Sequence, residues 1–238
     1  LLTLFLSVIL ITFSRSFWVG LIFGFFFSFF LFFFFYKISW KKILRLSGIL
    51  IICAVFSFLL IAAIVKFPYP SPTGGFSTSE ILSERASNIK GESALSSRWA
   101  LLPKLWGAIK DAPVAGRGFG ATITYKSSDP RVLETSPMGE YTTYAFEWGW
   151  LGIWLKLGLF GVLAYLALIG KIFSDLRFKI SDLRLPEQQI MLGLAVGLAV
   201  VAVVSIFSPY MNHPLGIGYL ILVSAILNNF QNDYKQKD

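Results

Sequence analysis

The chain contains one cysteine and one histidine among its 238 residues, and only 14% of its residues are charged. A single cysteine excludes a disulfide within the chain and a zinc site built from several thiolates. Cys53 itself lies in an apolar run, which is typical of a small buried hydrophobic side chain. A single histidine cannot form a metal site by itself, so the composition predicts no metal centre.

Apolar residues make up 55% of the chain, and the mean hydropathy is +0.69. This is too apolar for a soluble protein of this length. A membrane-spanning helix requires about 20 mainly apolar residues, because lipid offers the backbone no hydrogen-bond partner. The sequence therefore predicts an all-α, polytopic transmembrane helical bundle. The six expected membrane segments are residues 1–13, 17–36, 46–66, 146–170, 188–207 and 215–230.

The hydropathy pattern divides the chain into three parts, which we expect to belong to one domain. Residues 1–66 and 145–238 are membrane helices, the second group with a short polar tail, and residues 67–144 form one long loop between them. The chain begins at Leu1, without an initiator methionine and inside an apolar run that lacks the charged start of a signal peptide. We therefore interpret it as the C-terminal part of a longer protein.

The chain has a net charge of +8, and basic residues are found in the short loops 37–45 and 171–187 and in the C-terminal tail. In a six-helix alternation these three segments share one side, and the positive-inside rule makes that side cytoplasmic. Residues 67–144 then lie on the outer side of the cytoplasmic membrane. The positive-inside arrangement explains these basic residues without a nucleic-acid ligand. We therefore expect membrane lipid as a partner and no nucleic acid.

The long outer loop has two parts. Residues 68–79 are rich in proline, serine, threonine and glycine, which predicts irregular structure. In residues 96–110, apolar side chains recur at helical spacing and predict an amphipathic helix on the membrane surface. Pro113 and Gly116 are expected to end this helix. Such a helix would hold Arg98, near its start, over the bundle.

Three arginines on the outer side are candidates for binding an anionic ligand. Arg15 stands between two apolar helices, where an arginine either faces a cavity or partner or extends to lipid headgroups. Arg98 lies in the loop, where arginines are common, but two outer guanidinium groups could together hold a diphosphate. Arg117 lies in residues 116–120 (Gly-Arg-Gly-Phe-Gly), which follow no strand. That run therefore predicts a tight turn rather than a dinucleotide loop, and Arg117 could still contact an anion.

His213 is a candidate general base, because a histidine changes charge near neutral pH. It lies in the outer turn 208–214 and so shares the outer side with the three arginines. The alternative is a histidine that serves only the structure of this turn.

Glu147 and Lys156 are nine residues apart in the fourth predicted helix. That separation places them on opposite helix faces, so they should not pair with each other. Glu147 is then expected to be a water-exposed carboxylate.

Three blocks of sequence share an order and spacing that point to one family. The first is residues 12–16 (Thr-Phe-Ser-Arg-Ser), at the end of an apolar helix. The second runs from Ser97-Arg98-Trp99 through Trp106 to residues 113–120 and has an arginine, a tryptophan and a Pro-x-x-Gly-x-Gly turn. The third is residues 147–152 (Glu-Trp-Gly-Trp-Leu-Gly). Together they resemble the superfamily of O-antigen ligases, O-antigen polymerases and bacterial O-linked oligosaccharyltransferases.

The resemblance implies a membrane glycosyltransferase of surface polysaccharide biosynthesis. Such enzymes move a glycan from undecaprenyl diphosphate to a hydroxyl of a glycan, lipid or protein acceptor, with inversion at the anomeric carbon. They act outside the cytoplasmic membrane and without a metal, nucleotide or other cofactor. Arg15 and Arg98 match the arginines that hold the carrier diphosphate and stabilise charge on the leaving group.

The chain departs from the family pattern at the general base. Many ligases carry a His-Asn pair shortly before the Glu-x-Gly-x-x-Gly block, whereas residues 137–141 of this chain are Pro-Met-Gly-Glu-Tyr. We expect His213 or Glu140 to act as the base instead. A polymerase-like member with another base and a catalytically inactive homologue are the alternatives within the family.

Two alternatives lie outside this enzyme class. A transporter or flippase for an anionic lipid-linked saccharide would favour broken helices and inverted repeats near the middle of the membrane. The sequence contains no evident internal repeat, and a structured outer loop suits a surface-acting enzyme better. A structural membrane subunit without chemistry would leave the outer arginines unexplained.

Overall fold

The computed structural model describes residues 1–12, 14–34, 39–66, 93–180 and 185–235. The chain forms two compact units, Leu1–Glu92 and Ser93–Asp238. Residues 67–92, which include the stretch expected to be irregular, lie outside the described part of the chain. The described residues of the first unit are helical, and those of the second combine helices with a small β-ribbon.

The described helices of the first unit are α1 (Leu2–Ile11), α2 (Arg15–Phe34) and α3 (Trp40–Lys66). α1 packs mainly against α3, while α2 makes lighter contact with both. The buried Ser57 hydroxyl of α3 ties this pair together, because it lies 2.8 Å from the Thr3 carbonyl oxygen of α1. It also lies 2.7 Å from the Cys53 carbonyl oxygen of its own helix. Interhelical bonds of this kind support helix association in lipid, where the hydrophobic effect does not.

The described elements of the second unit are, in chain order, α4 (Ser93–Asp111), β1 (Ile123–Lys126), α5 (Pro130–Thr135), β2 (Glu140–Thr143), α6 (Gly149–Ile180), α7 (Leu185–Val204), a 3₁₀ turn (Tyr210–Asn212) and α8 (Pro214–Lys235). α6, α7, α8 and the 3₁₀ turn pack around one apolar core. A second, smaller core joins α4, β1 and α6. Residues 93–148, which contain α4 and the two strands, are called here the α4–ribbon region.

Among the described residues, four helical segments are long and apolar enough to cross a membrane: Arg15–Phe33, Trp40–Ile64, Gly149–Leu176 and Glu187–Val204. Leu2–Ile11 and Pro214–Asn229 are shorter apolar helices. Helices therefore occur in all six expected membrane segments, and the predicted all-α polytopic bundle is confirmed. The β-ribbon was not predicted from the sequence.

The amphipathic helix expected at residues 96–110 is α4, which begins slightly earlier than expected and ends at Asp111. Its buried face consists of Leu101, Leu105 and Ile109, each at most 2% exposed. These side chains pack against β1 and α6. Burial of an aliphatic side chain contributes about 1.5–3 kcal/mol. Packing against the protein therefore fixes α4, independently of any contact with lipid.

The ribbon of β1 and β2 is antiparallel, with Ile123 opposite Thr143 and Lys126 opposite Glu140. Ile123 and Thr143 are buried, whereas Lys126 and Glu140 are exposed. Side chains alternate between the two faces of a strand, so Tyr125 shares the face of Ile123. Glu140 lies on the opposite face.

α6 is broken at Gly158, whose backbone has φ +67° and ψ −170°. A break leaves helical backbone groups without their internal partners, and lipid offers no replacement. The loop after α4, residues 113–118, supplies partners through backbone hydrogen bonds. These are Arg117 N–H to the Leu155 oxygen (2.7 Å), Gly118 N–H to the Lys156 oxygen (2.9 Å) and Leu159 N–H to the Pro113 oxygen (2.9 Å). The loop and the helix break together are called here the interlock.

The interlock leaves no room for side chains where its two segments touch. A Cβ atom at Gly116, where φ is +73°, would lie 2.4 Å from the Gly158 nitrogen. A Cβ atom at Gly158 would lie 2.0 Å from the Val114 carbonyl oxygen. Both positions therefore require glycine, for their conformation and for the close approach of two backbones. The tight turn expected at residues 116–120 thus closes the break in α6.

The first turns of α6 pack against the segment that joins α7 to α8. A Cβ atom at Gly149 would lie 2.4 Å from the Ser205 carbonyl oxygen, so glycine permits this approach. The Trp150 Nε1–H group donates to the Ala202 carbonyl oxygen at 2.9 Å. Residues 205–213 and the α4–ribbon region therefore both contact the first half of α6.

Candidate functional site

Arg98 of α4 forms an ion pair with Glu147, which lies just before α6. The Arg98 Nε–H group donates to a carboxylate oxygen of Glu147. The two side chains are 36% and 46% exposed, so solvent reaches both. Because exposed ion pairs contribute only about 0–1 kcal/mol to stability, the main effect of this pair is to orient the guanidinium group. The bond to Glu147 does not use the donors on Nη1 and Nη2.

Two tryptophans, Trp148 just before α6 and Trp154 within it, hold α4 in place. The Trp148 Nε1–H group donates to the Arg98 carbonyl oxygen at 3.1 Å, and the Trp154 Nε1–H group donates to the Pro113 carbonyl oxygen at 2.9 Å. Each indole also meets a tryptophan of α4 edge to face, an arrangement that contributes about 0.5–1.5 kcal/mol. The pairs and their ring-centroid distances are Trp99–Trp148 at 5.5 Å and Trp106–Trp154 at 5.7 Å. The helix that carries Arg98 is therefore fixed at both ends.

Serine side chains fix the first turns of α4 to the segment after β1. The Ser97 hydroxyl lies 2.9 Å from the Ser127 hydroxyl and accepts the Ser128 backbone N–H at 3.1 Å. Ser96 makes a further hydroxyl contact with Ser128. Ser97 and Ser127 are buried, so loss of either hydroxyl would remove a hydrogen bond that is shielded from water. These bonds hold the turn of α4 that precedes Arg98.

Tyr125 on β1 lies within the electrostatic influence of Glu147. Burial raises the pKa of Tyr125, and the negative charge of Glu147 raises that pKa further. A side-chain hydrogen bond with Ser127 acts on this pKa in the opposite direction, and the phenol stays protonated at neutral pH. Arg98, Glu147, Tyr125, Trp99 and Trp148 are called here the Arg98 cluster.

Arg117 lies in the interlock, where its guanidinium group pairs with Asp111 at the end of α4. Both side chains are exposed. α4 separates Asp111 from Arg98 by about 20 Å along its axis, at 1.5 Å per residue. The structure therefore does not bring Arg117 to the Arg98 cluster, and its contact with an anion stays a prediction.

Glu140 is the first residue of β2 and lies opposite Lys126 on the exposed face of the ribbon. Tyr125 is on the other face. The ribbon therefore directs the Glu140 side chain away from the Arg98 cluster. Its assignment as a general base stays a prediction.

His213 caps the first turn of α8. Its Nδ1 atom accepts the Leu215 backbone N–H at 3.3 Å, and its carbonyl oxygen accepts the backbone N–H groups of Gly216 and Ile217 at 3.0 and 3.1 Å. A side-chain acceptor bonded to an amide of the first turn is the arrangement of a helix N-cap. Because Nδ1 accepts this bond, the neutral ring carries its proton on Nε2. His213 thus has a structural role in this turn, and its role as a base stays a prediction.

Arg15 belongs to the first unit, where it is the first residue of α2. The Ser14 carbonyl oxygen accepts the backbone N–H groups of Phe17 and Trp18, both at 3.1 Å. A cation at a helix N-terminus opposes the helix dipole by about 0.3–1 kcal/mol. Helix stability therefore does not explain an arginine at this position. Its contact with a diphosphate stays a prediction.

The Arg98 cluster combines a guanidinium group, the carboxylate that orients it and aromatic rings, and the Nη1 and Nη2 donors that Glu147 does not use suit an anionic ligand. Among the residues that the structure describes, no three His, Cys, Asp or Glu side chains are grouped as metal ligands. The sequence identified Arg98 but not its partner. Glu147 was recognisable only as the first residue of the third block, and nothing in the sequence marked Tyr125.

The fold defines a multi-pass helical membrane protein whose α4–ribbon region carries the Arg98–Glu147 ion pair. The model of the O-antigen ligase family matches residues 1–166, which is more than half of the chain. The chain therefore belongs to the O-antigen ligase family, and the resemblance carried by the three blocks is confirmed. It is an O-antigen-ligase-like membrane protein of surface polysaccharide biosynthesis. No curated protein and no solved structure matches the chain.

The family match covers some candidate residues and not others. Arg15, Arg98, Arg117 and Glu140 all lie within residues 1–166, whereas His213 lies beyond them. The match therefore gives no support to the assignment of His213 as the base.

Proposed function

We propose that the protein transfers a glycan from undecaprenyl diphosphate to an acceptor hydroxyl at the outer face of the cytoplasmic membrane. The observation that carries this proposal is the partly exposed Arg98 guanidinium, oriented by Glu147 within a region packed onto a membrane helix. A fixed guanidinium fork suits the oxygens of a diphosphate. The proposed acceptor is a hydroxyl of a glycan, lipid or protein.

In the proposed reaction, the acceptor oxygen bonds to the anomeric carbon of the donor glycan, which inverts. The bond from that carbon to the diphosphate oxygen breaks, and its electron pair stays on the diphosphate. The acceptor proton passes to a general base. Arg98 donates hydrogen bonds to the diphosphate and stabilises the negative charge that develops there, because its donors are already in position. Neither a metal nor a nucleotide takes part.

The proposed roles of the two other arginines come from the family resemblance and from sequence position. Arg15 contacts the carrier diphosphate, as the matching arginine does in the family. Arg117 contacts an anionic ligand, for which its guanidinium group would have to exchange its bond to Asp111. Each assignment is tested by its own alanine variant in the transfer assay.

The two proposed bases, His213 and Glu140, lie in different parts of the second unit. Glu140 is on the ribbon face opposite Tyr125, whereas His213 lies in the segment that contacts the start of α6. In the neutral His213 ring the basic atom is Nδ1, which takes up the acceptor proton only after it releases the Leu215 amide.

The base assignment predicts that His213→Asn loses transfer while the helix stays capped. Asparagine caps helices well, so the melting temperature should be close to that of the wild type. The transfer rate should fall by about 100-fold or more, as expected for loss of a general base. Initial rates with saturating donor would measure this effect, with Lys126→Gln on the ribbon as a control. If only Glu140→Gln loses transfer, Glu140 is the base. If both variants retain transfer, both assignments are wrong.

The break in α6 is a feature that also occurs in transporters, where unwound helices bind substrate. In this protein, the loop 113–118 occupies backbone groups on both sides of Gly158. Those groups are therefore engaged within the protein and are not offered to a substrate. This arrangement favours a transferase over a flippase.

The proposed function predicts product formation by the full-length protein in vitro. Purified protein in liposomes would be supplied with a defined undecaprenyl-diphosphate glycan and, separately, with glycan, lipid A core and serine-containing peptide acceptors. Mass spectrometry would detect the glycosylated acceptor, and a membrane-impermeant probe would detect donor translocation. We expect transfer to one acceptor class without translocation. Translocation without transfer would replace the proposal with the flippase alternative.

A further inference from the structure

Lys156 is a buried cation that the proposed mechanism does not use. It lies in α6 two residues before the break and is 9% exposed. Among the described residues, no carboxylate forms an ion pair with it. A charged side chain within a membrane segment is costly and is usually functional. The structure must therefore give this ammonium group another favourable contact.

That contact is the aromatic ring of Phe146. The Lys156 Nζ atom lies 5.4 Å from the ring centroid, within the range of a cation–π interaction. Phe146 is 2% exposed and packs in the core shared by α4, β1 and α6. The ring therefore belongs to the core through which the α4–ribbon region packs against α6.

Phe146 directly precedes Glu147, in the short connection between β2 and α6. This connection has no regular secondary structure, so contacts of its own residues determine its position. Thr143 bonds the Ala145 backbone at one end, and Trp148 bonds the Arg98 carbonyl oxygen at the other. Phe146 is the buried anchor between these two points.

We propose that Lys156 is a positioning residue for donor binding, which fixes the Phe146 ring and thereby the Glu147–Arg98 pair. The inference rests on the proposed binding of the carrier diphosphate by Arg98. Lys156 itself does not contact the diphosphate. Its cation–π contact restricts the connection that carries Glu147, and Glu147 in turn orients the guanidinium group. The nine-residue separation predicted that Glu147 and Lys156 do not pair with each other, and Glu147 pairs with Arg98. The helix expected to hold both residues begins only after Glu147, at Gly149.

The test measures binding of undecaprenyl diphosphate, without sugar, to the full-length protein in nanodiscs. Lys156→Met removes the charge but keeps an unbranched side chain only one atom shorter. It should raise the Kd by about threefold to tenfold, as expected for loss of one desolvated cation–π contact. Lys156→Arg keeps a cation and should restore much of the affinity. The matched control is Lys104→Met, which changes an exposed lysine of α4.

A second variant tests whether Lys156 affects donor binding through its contact with the Phe146 ring. Phe146→Leu keeps an apolar side chain but removes the aromatic face, so it should weaken binding by a similar factor. Because both changes break the same contact, the double variant Lys156→Met/Phe146→Leu should bind about as well as either single variant. The melting temperature of Lys156→Met should not fall, since the variant removes a buried charge. A lysine with only a structural role would change stability and leave diphosphate binding unaltered.

The outcomes separate this inference from the proposed function. If Arg98→Ala abolishes binding while Lys156→Met binds like the wild type, the positioning role is wrong and the proposed function stands. If the losses of affinity in the double variant are additive, Lys156 does not act through Phe146. If Arg98→Ala binds undecaprenyl diphosphate as well as the wild type, the proposed role of Arg98 is itself wrong.

Discussion

Replacement of Arg98 by alanine is expected to lower the rate of glycan transfer by about 100-fold or more, the usual effect of removing a preorganised donor to a developing negative charge. Arg98→Lys should restore only part of the rate, because an ammonium group lacks the planar fork that engages two phosphate oxygens. The measurement is the initial rate of acceptor glycosylation by the full-length protein, with donor concentration varied. The loss should affect kcat as well as KM, since the charge grows as the glycosidic bond breaks.

Lys104→Ala is the matched control for Arg98→Ala, because it removes an exposed cation from the same helix. It should transfer at nearly the wild-type rate. The transfer rate of Glu147→Gln should lie between those of Lys104→Ala and Arg98→Ala. The glutamine amide can still accept a hydrogen bond from Arg98, but this bond is weaker than one to a carboxylate. Equal rates for Arg98→Ala and Lys104→Ala would show that Arg98 does not stabilise the leaving group.

The substitution Gly158→Ala is expected to disrupt the interlock and to destabilise the second unit. Alanine is strained in the Gly158 backbone conformation, which costs about 1–3 kcal/mol. In addition, its Cβ atom would lie 2.0 Å from the Val114 carbonyl oxygen, so the loop must move away from the helix break. The backbone groups beside the break would then lose their partners. We expect the melting temperature in detergent to fall by about 5 °C or more, and transfer to fall with it.

Gly170→Ala is the matched control, because it lies in the same helix and a Cβ atom there would meet nothing within 4 Å. It should be neutral or slightly stabilising, since alanine favours helix more than glycine does. Gly116→Ala affects the loop side of the interlock and should resemble Gly158→Ala. A Gly158→Ala protein that melts and transfers like Gly170→Ala would contradict the account of the interlock.

Hydropathy predicted the helices because lipid forces every backbone group of a spanning segment into internal bonds. Length and apolar character are then sufficient to find the segments. Local spacing also predicted α4, and residues 116–120 predicted a turn. The spacing did not show that α4 buries Leu101, Leu105 and Ile109 against the protein. Nor did it show that Trp99 and Trp106 pack against tryptophans 148 and 154.

The candidate site was predictable only in part, because its contacts join residues far apart in the chain. Arg98 and Glu147 are 49 residues apart, and no local pattern pairs them. The same holds for Tyr125, which the fold of the ribbon brings within the electrostatic influence of Glu147. Glu140 was chosen for its position in the chain, and strand register then directed it to the opposite face.

By itself, the sequence determined the membrane class, the helices and the family, because all three depend on composition and on short blocks of neighbouring residues. The tertiary structure decided which charged groups have partners. It paired Arg98 with Glu147, Arg117 with Asp111 and the Lys156 ammonium group with the Phe146 ring. The physical reason is that charge pairing and close backbone approach, as at Gly116 and Gly158, depend on distances between segments, which the order of residues does not encode locally.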